Sequence, residues 1–73
     1  MTKEQATRLK VFLDHGFKIK IDSYYLDSFV YDIFEGEDGD LHYSSEVYND
    51  FDLMEIPLRS VKIYKDITHE FFL

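Results

Sequence analysis

Seventy-three residues, 45% of them hydrophobic, with six tyrosines, seven phenylalanines and a formal charge of −7, describe one small acidic domain with ample material for a core. The absence of cysteine excludes disulfides and thiolate metal sites, so packed aromatics or a second subunit must hold the fold. No apolar run is long enough for a membrane-spanning helix, and Lys10 and Asp14 interrupt any signal-like segment. The acidic balance disfavours nucleic acid and anionic membranes as direct partners, and a cytoplasmic location is expected.

Thr2-Lys3-Glu4-Gln5 has the form of a capping box and opens an apolar stripe at Ala6, Leu9, Phe12 and Leu13. Gly16 suits the left-handed position that ends helices, so a helix is expected from Lys3 to Asp14. A competing pattern exists, because Leu9, Val11 and Leu13 also alternate. With Thr7–Asp14 as a strand the chain becomes a small SH3-like or Sm-like barrel. Phe17–Asp22 alternates apolar and polar residues and predicts the first strand, followed by a turn over Ser23–Asp27. Ser28–Glu35 predicts a second strand with Phe29, Tyr31 and Ile33 on one side and Val30 and Phe34 on the other. Glu35–Asp40, with two glycines, reads as a hairpin turn. Leu41–Tyr48 predicts a third strand, Asn49–Asp52 a turn, Leu53–Leu58 a fourth strand ending at Pro57, and Val61–Lys65 a fifth. Asp66–Leu73 is divided between a helical turn and a short strand. The expected fold class is α+β: an N-terminal helix packed on an antiparallel meander of four to five strands.

Charge is distributed unevenly along this framework. From Ile21 to Leu58 there is no Lys or Arg, against eleven carboxylates: Asp22, Asp27, Asp32, Glu35, Glu37, Asp38, Asp40, Glu46, Asp50, Asp52 and Glu55. All eight basic residues lie outside that stretch, with only four acids beside them. Metal chemistry is not indicated. An EF-hand register on Gly39 places Phe34 and Ser45 at ligand positions, and a register on Gly36 places Tyr31 and His42 there. Nor is catalysis: there is no Gly-x-Ser-x-Gly elbow, and Asp40, His42, Ser44 and Ser45 read as an ordinary strand face. No phosphate-cradling loop appears either, since Gly16, Gly36 and Gly39 are explained as cap and turn residues, so no cofactor is expected.

The acids serve solubility in the simplest reading. Ordinary surfaces mix both signs, however, because like charges facing each other across strands are destabilising. Acids two apart on an extended strand stand roughly 6.6–6.8 Å apart, a regular row of negative charge. In size, charge and lack of motifs the chain is similar to the small acidic β-proteins known as DNA mimics, many of them phage-encoded, which occupy the DNA-binding clefts of enzymes. The resemblance implies a basic, nucleic-acid-binding protein as partner and carries over no individual residue. The expected function is therefore a non-enzymatic binding module, an inhibitor or regulator. Its contact residues are Glu35, Glu37, Asp38, Asp40, Glu46, Asp50 and Asp52, with Tyr24, Tyr25, Tyr48 and Phe51 as the turn-borne aromatics suited to an interface. The alternative is a homo-oligomer assembled through the apolar C-terminus, Phe71, Phe72 and Leu73.

Overall fold

The computed structural model describes residues 1–22, 27–65 and 70–71. Helix α1 spans Lys3–Asp14, as expected, and is fixed at both ends. At its start the Thr2 hydroxyl accepts from the Gln5 backbone N–H at 3.2 Å while the Gln5 side-chain Oε1 accepts from the Thr2 N–H at 2.9 Å. At its end Gly16 turns to φ +86, its N–H donates to Leu13 O, and the Phe17 N–H reaches back to Phe12 O. That doubled closure is a Schellman motif. Its usual apolar contact is present as well: the Phe12 and Phe17 rings meet edge-to-face at 4.9 Å. The exit angle from helix to sheet is thereby set before any tertiary contact is counted.

Six strands follow: β1 (Lys18–Asp22), β2 (Asp27–Glu35), β3 (Leu41–Ser45), β4 (Phe51–Asp52), β5 (Val61–Tyr64) and β6 (Glu70–Phe71). All pairings are antiparallel, in the order β4-β3-β2-β1-β5-β6. The first three strands form the expected meander; its fourth strand is the two-residue β4, which falls in the expected turn Asn49–Asp52, and β5 then returns to the far side of β1. The expected helix is a helix, so the barrel in which Thr7–Asp14 supplies a strand does not form. Among the described residues no helix is long and apolar enough to cross a membrane.

The core lies between α1 and one face of this sheet. Ala6 and Leu9 from the helix pack with Ile19, Ile21, Val30, Ile33, Tyr43 and Ile63 from the strands. Leu53, fully buried, closes the cluster. Strand β2 departs from the expected alternation. Val30 pairs with Ser45 but Asp32 pairs with Ser44, so Tyr31 is an extra residue with no partner of its own, a β-bulge. The bulge shifts the phase by one, and Val30 and Ile33 both point inward. Phe29 and Tyr31, expected on the side of Ile33, are instead 46% and 60% exposed.

Two further expectations are corrected by local hydrogen bonding. The third strand stops at Ser45 rather than Tyr48, because the Ser45 hydroxyl accepts from the N–H groups of Val47 and Tyr48 and folds the chain out of the ladder. The strand expected over Leu53–Leu58 is two 3-10 turns, Leu53–Glu55 and Leu58–Ser60. Asp52 starts the first by accepting from the Met54 N–H at 2.8 Å, and Pro57 separates the two. This segment carries the chain across the helix side of the sheet, where the Met1 backbone nitrogen donates to Ile56 O at 2.6 Å. Replacing the fully buried Leu9 with alanine should cost about 2–5 kcal/mol. Urea titration should show it as a lowered midpoint at unchanged slope; an unmoved midpoint would mean that α1 is not seated on the sheet.

Candidate functional site

Strand alternation sends one set of side chains to the core and the other to the open face of the sheet. In the half built from the end of β2, β3 and β4, the inward pairs are Ile33 with Tyr43 and Tyr43 with Phe51. The open face therefore receives Asp32, Phe34, His42, Ser44 and Asp52, paired as Asp32 with Ser44, Phe34 with His42 and His42 with Asp52. The five-residue turn that joins β2 to β3 folds back onto this face. Gly36 donates to Asp40 O at 2.8 Å, and Gly39 takes φ +82 and donates to Gly36 O.

His42 is the centre of the arrangement. Its Nε2 lies 2.9 Å from Asp38 Oδ1 on the turn, and its Nδ1 lies 2.5 Å from Asp50 Oδ1 on the β3–β4 loop. Phe34 covers the ring on a third side at a centroid distance of 6.1 Å. Gly36 completes the enclosure: a Cβ there would stand 2.5 Å from Nε2 and 2.6 Å from the neighbouring ring carbon. The glycine is needed for the approach of the imidazole, whatever its own backbone angle. The His42 side chain is left 15% exposed.

A carboxylate oxygen is an acceptor only, so each ring nitrogen facing one is best served by carrying a proton. The Asp50 and Asp38 hydrogen bonds accordingly raise the His42 pKa above its ordinary 6.5. The Asp40 N–H, and after it His42, hold the Asp38 carboxyl below its ordinary 3.8. His42 is the one histidine between Ile21 and Leu58, so its imidazolium is the internal counter-charge of the acidic stretch. Asp38, His42 and Asp52 bring ligand atoms within 4.8 Å of one another, the spacing a cation needs. Both histidine nitrogens are engaged by carboxylates, though, and Asp52 Oδ1 caps the first 3-10 turn, so the arrangement suits protons better than a metal ion.

The expected contact residues separate into groups. Asp38, Asp50 and Asp52 gather at His42, while Glu35, Glu37 and Asp40 lie at the end of β2 and on the hairpin that carries Asp38. Glu46 lies apart and accepts from the Tyr31 hydroxyl, which pushes that phenol pKa up. Tyr48 and Phe51 do not join the acids. Their rings meet at 4.6 Å and pack against Tyr43 at 6.5 and 6.0 Å, extending the core toward the β4 edge and leaving Tyr48 39% exposed. Tyr24, Tyr25, Phe72 and Leu73 lie outside the described residues, and the backbone of Phe71 pairs with Ile63 in β6. Asp32 is absent from the expected contact residues, and His42, expected on an ordinary surface face, is the centre of the acidic group. The signal available for both was the period-two pattern of β2 and β3, which the bulge conceals in β2.

No family model, curated protein or solved structure matches the chain. Its function must be argued from this face.

The His42 bridge carries a pH signature. A raised histidine pKa contributes stability that is complete below about 6.5 and lost as pH rises through the folded value; a depressed Asp38 contributes stability lost as pH falls through its own. Nuclear magnetic resonance titration should find His42 above 6.5, and His42→Gln should remove the decline in stability as pH rises from 6.5 through the folded-state value. Parallel stability curves for the two proteins would refute the bridge. Gly36→Ala should abolish the upward His42 shift, because the added Cβ takes the space the ring occupies between Asp38 and Asp50.

Proposed function

We propose that this chain is a non-enzymatic protein-binding module, an inhibitor or regulator acting in the cytoplasm. It presents its acidic face to a basic surface of the kind proteins use to hold nucleic acid. The observation that carries the reading is the collection of Asp38, Asp50 and Asp52 around one histidine on the open side of the sheet, with Asp32 on the same face opposite Ser44 and Glu37 and Asp40 on the hairpin that carries Asp38. Carboxylates that served solubility alone would be better dispersed, since gathering them costs repulsion at every approach. Here a single protonated ring offsets part of that repulsion and leaves a strong negative field. Such a field raises association rates with a basic partner by orders of magnitude at low salt and fades as salt screens it.

The same geometry speaks against chemistry. Both His42 nitrogens are turned to carboxylates, Asp50 and Asp38, and neither is turned to Ser44, so this ring takes no part as a base in that reading.

The test is capture from a cell lysate on the immobilised chain, followed by elution with duplex DNA. A basic nucleic-acid-binding protein held at low salt and released by DNA is the expected result. The variant Asp32→Lys, Glu37→Lys, Asp40→Lys leaves the Asp38–His42–Asp50 bridge in place and should bind the captured protein at least about tenfold more weakly. Equal binding by this variant, folded as judged by circular dichroism, would remove the acidic face from the interaction.

A further inference from the structure

The two segments that His42 ties together are held in place by different means. The hairpin keeps its shape without the ring: Gly36 donates to Asp40 O, Gly39 donates to Gly36 O, and the Asp38 carboxylate accepts from the Asp40 N–H at 3.0 Å. Asp38 then offers both oxygens to His42 Nε2, at 2.9 and 3.0 Å. The β3–β4 loop is fixed near its ends only. At one end the Ser45 hydroxyl holds the N–H groups of Val47 and Tyr48; at the other Phe51 pairs with Tyr43 in the ladder. Asn49 and Asp50 lie exposed between these anchors. The Asp50 side chain has His42 Nδ1 as its one partner among the described residues.

We propose that His42 is a proton-operated latch on the β3–β4 loop: the charged ring holds Asp50, and the neutral ring keeps Asp38 and lets Asp50 go. A neutral imidazole has one N–H and one lone pair, so two carboxylates compete for a single donor. Asp38 wins that competition, because the Asp40 N–H already positions it and both its oxygens face Nε2. The Nδ1 lone pair then faces the Asp50 carboxylate at a distance set for a hydrogen bond, and acceptor opposes acceptor. The other groups around the ring do not replace the lost attraction. Asp52, directly opposite on β4, adds negative charge and is itself held by the Met54 N–H; Phe34 on β2 and Gly36 on the turn carry none. As pH rises through the folded-state value of His42, which lies above 6.5, the face therefore gains one negative charge and a carboxylate turned to solvent. This inference rests on the acidic-face reading for its consequence. A cation of the partner competes with the imidazolium for Asp50, so binding releases a proton and tightens with pH.

The test is nitrogen-15 relaxation of the full chain across a pH titration, beside the imidazole resonances of His42. Backbone order parameters at Asn49 and Asp50 should fall from about 0.85 to below about 0.6, with the midpoint of the His42 titration, while those of Gly36 and Gly39 stay high. In His42→Gln, folded by circular dichroism, the loop should be mobile at every pH and the step absent. The latch is overturned by order parameters at Asn49 and Asp50 that do not change through the midpoint, by a hairpin that loosens in place of the loop, or by a step that survives in His42→Gln. A second measurement reads the consequence with octalysine, whose charge is constant near neutral pH. The native chain should bind it at least about threefold more tightly a pH unit above the midpoint than a pH unit below, and His42→Gln should show no such difference. Equal native affinities would overturn the coupling of latch to binding. The relaxation experiment uses no partner, so the latch can fail while the captured protein still binds the acidic face, and the acidic-face reading can fail while the loop still titrates with His42.

Discussion

The bulge at Tyr31 is the constraint on which both faces of the sheet depend. Strand β2 is shared: its first half pairs with β1 and its second with β3, and an unbroken alternation cannot satisfy both. Val30 must point inward to meet the core built with Ile19 and Ile21, and Ile33 must point inward to meet Tyr43. Three positions separate them, an odd number, so one residue has to be taken out of phase. Tyr31 is that residue. Its displacement puts Asp32 and Phe34 on the open face beside Ser44 and His42, where an unbroken strand would have sent them into the core. A single inserted position therefore determines which carboxylates are displayed and leaves the Tyr31 ring exposed.

Once those carboxylates are displayed, repulsion among them has to be managed. Lysine is the usual remedy, and none occurs between Ile21 and Leu58. His42 supplies a smaller and more localised one. A lysine on the same strand would carry a mobile, hydrated charge that cancels the field over a broad area. A half-enclosed imidazolium fixed between Asp38 and Asp50 cancels it only at the centre. The outer carboxylates, Asp32, Glu35 and Glu37, are exposed and keep their reach into solvent. The arrangement also makes the hairpin and the β3–β4 loop one structural unit, because the ring ties residues four and eight positions away to the same strand. The enclosure explains why a glycine stands at position 36, where the backbone adopts no left-handed turn.

What the amino-acid order made readable was local. The capping box at Thr2 and Gln5, the closure at Gly16 and Phe17, the alternation of Phe17–Asp22 and the turn at Gly36–Gly39 each depend on neighbours within five residues, and each formed where expected. The misread segments are those where a polar side chain had two options. Ser45 and Asp52 are each the last paired residue of a strand and also accept from the backbone two residues on; continuing the ladder depends on the partner strand, while the turn is local, and beyond these two residues the turn prevailed. The bulge and the His42 bridge were hidden for a different reason. Both arise from registers set between strands, and nothing within β2 alone marks Tyr31 as the residue to be displaced. The excess of acid was plain from composition, but its gathering on one face required the phase of two strands and the path of a loop.

The separation of charge across the sheet also follows from topology. The basic residues near the start of the chain, Lys18 and Lys20, and the one near its end, Lys62, are brought side by side because β5 crosses over to pair with β1. Had the chain continued its meander, β5 would have lain beside β4 and placed Lys62 among the aspartates, neutralising them. The crossover takes that lysine to the opposite half. It does so through the Leu53–Ser60 segment, whose 3-10 turns arise from the Asp52 cap and Pro57 and whose Leu53 is anchored in the core. Thus the feature least readable in the sequence, the replacement of a fourth long strand by a crossover, is also the one that leaves the acidic half of the sheet unopposed by Lys62.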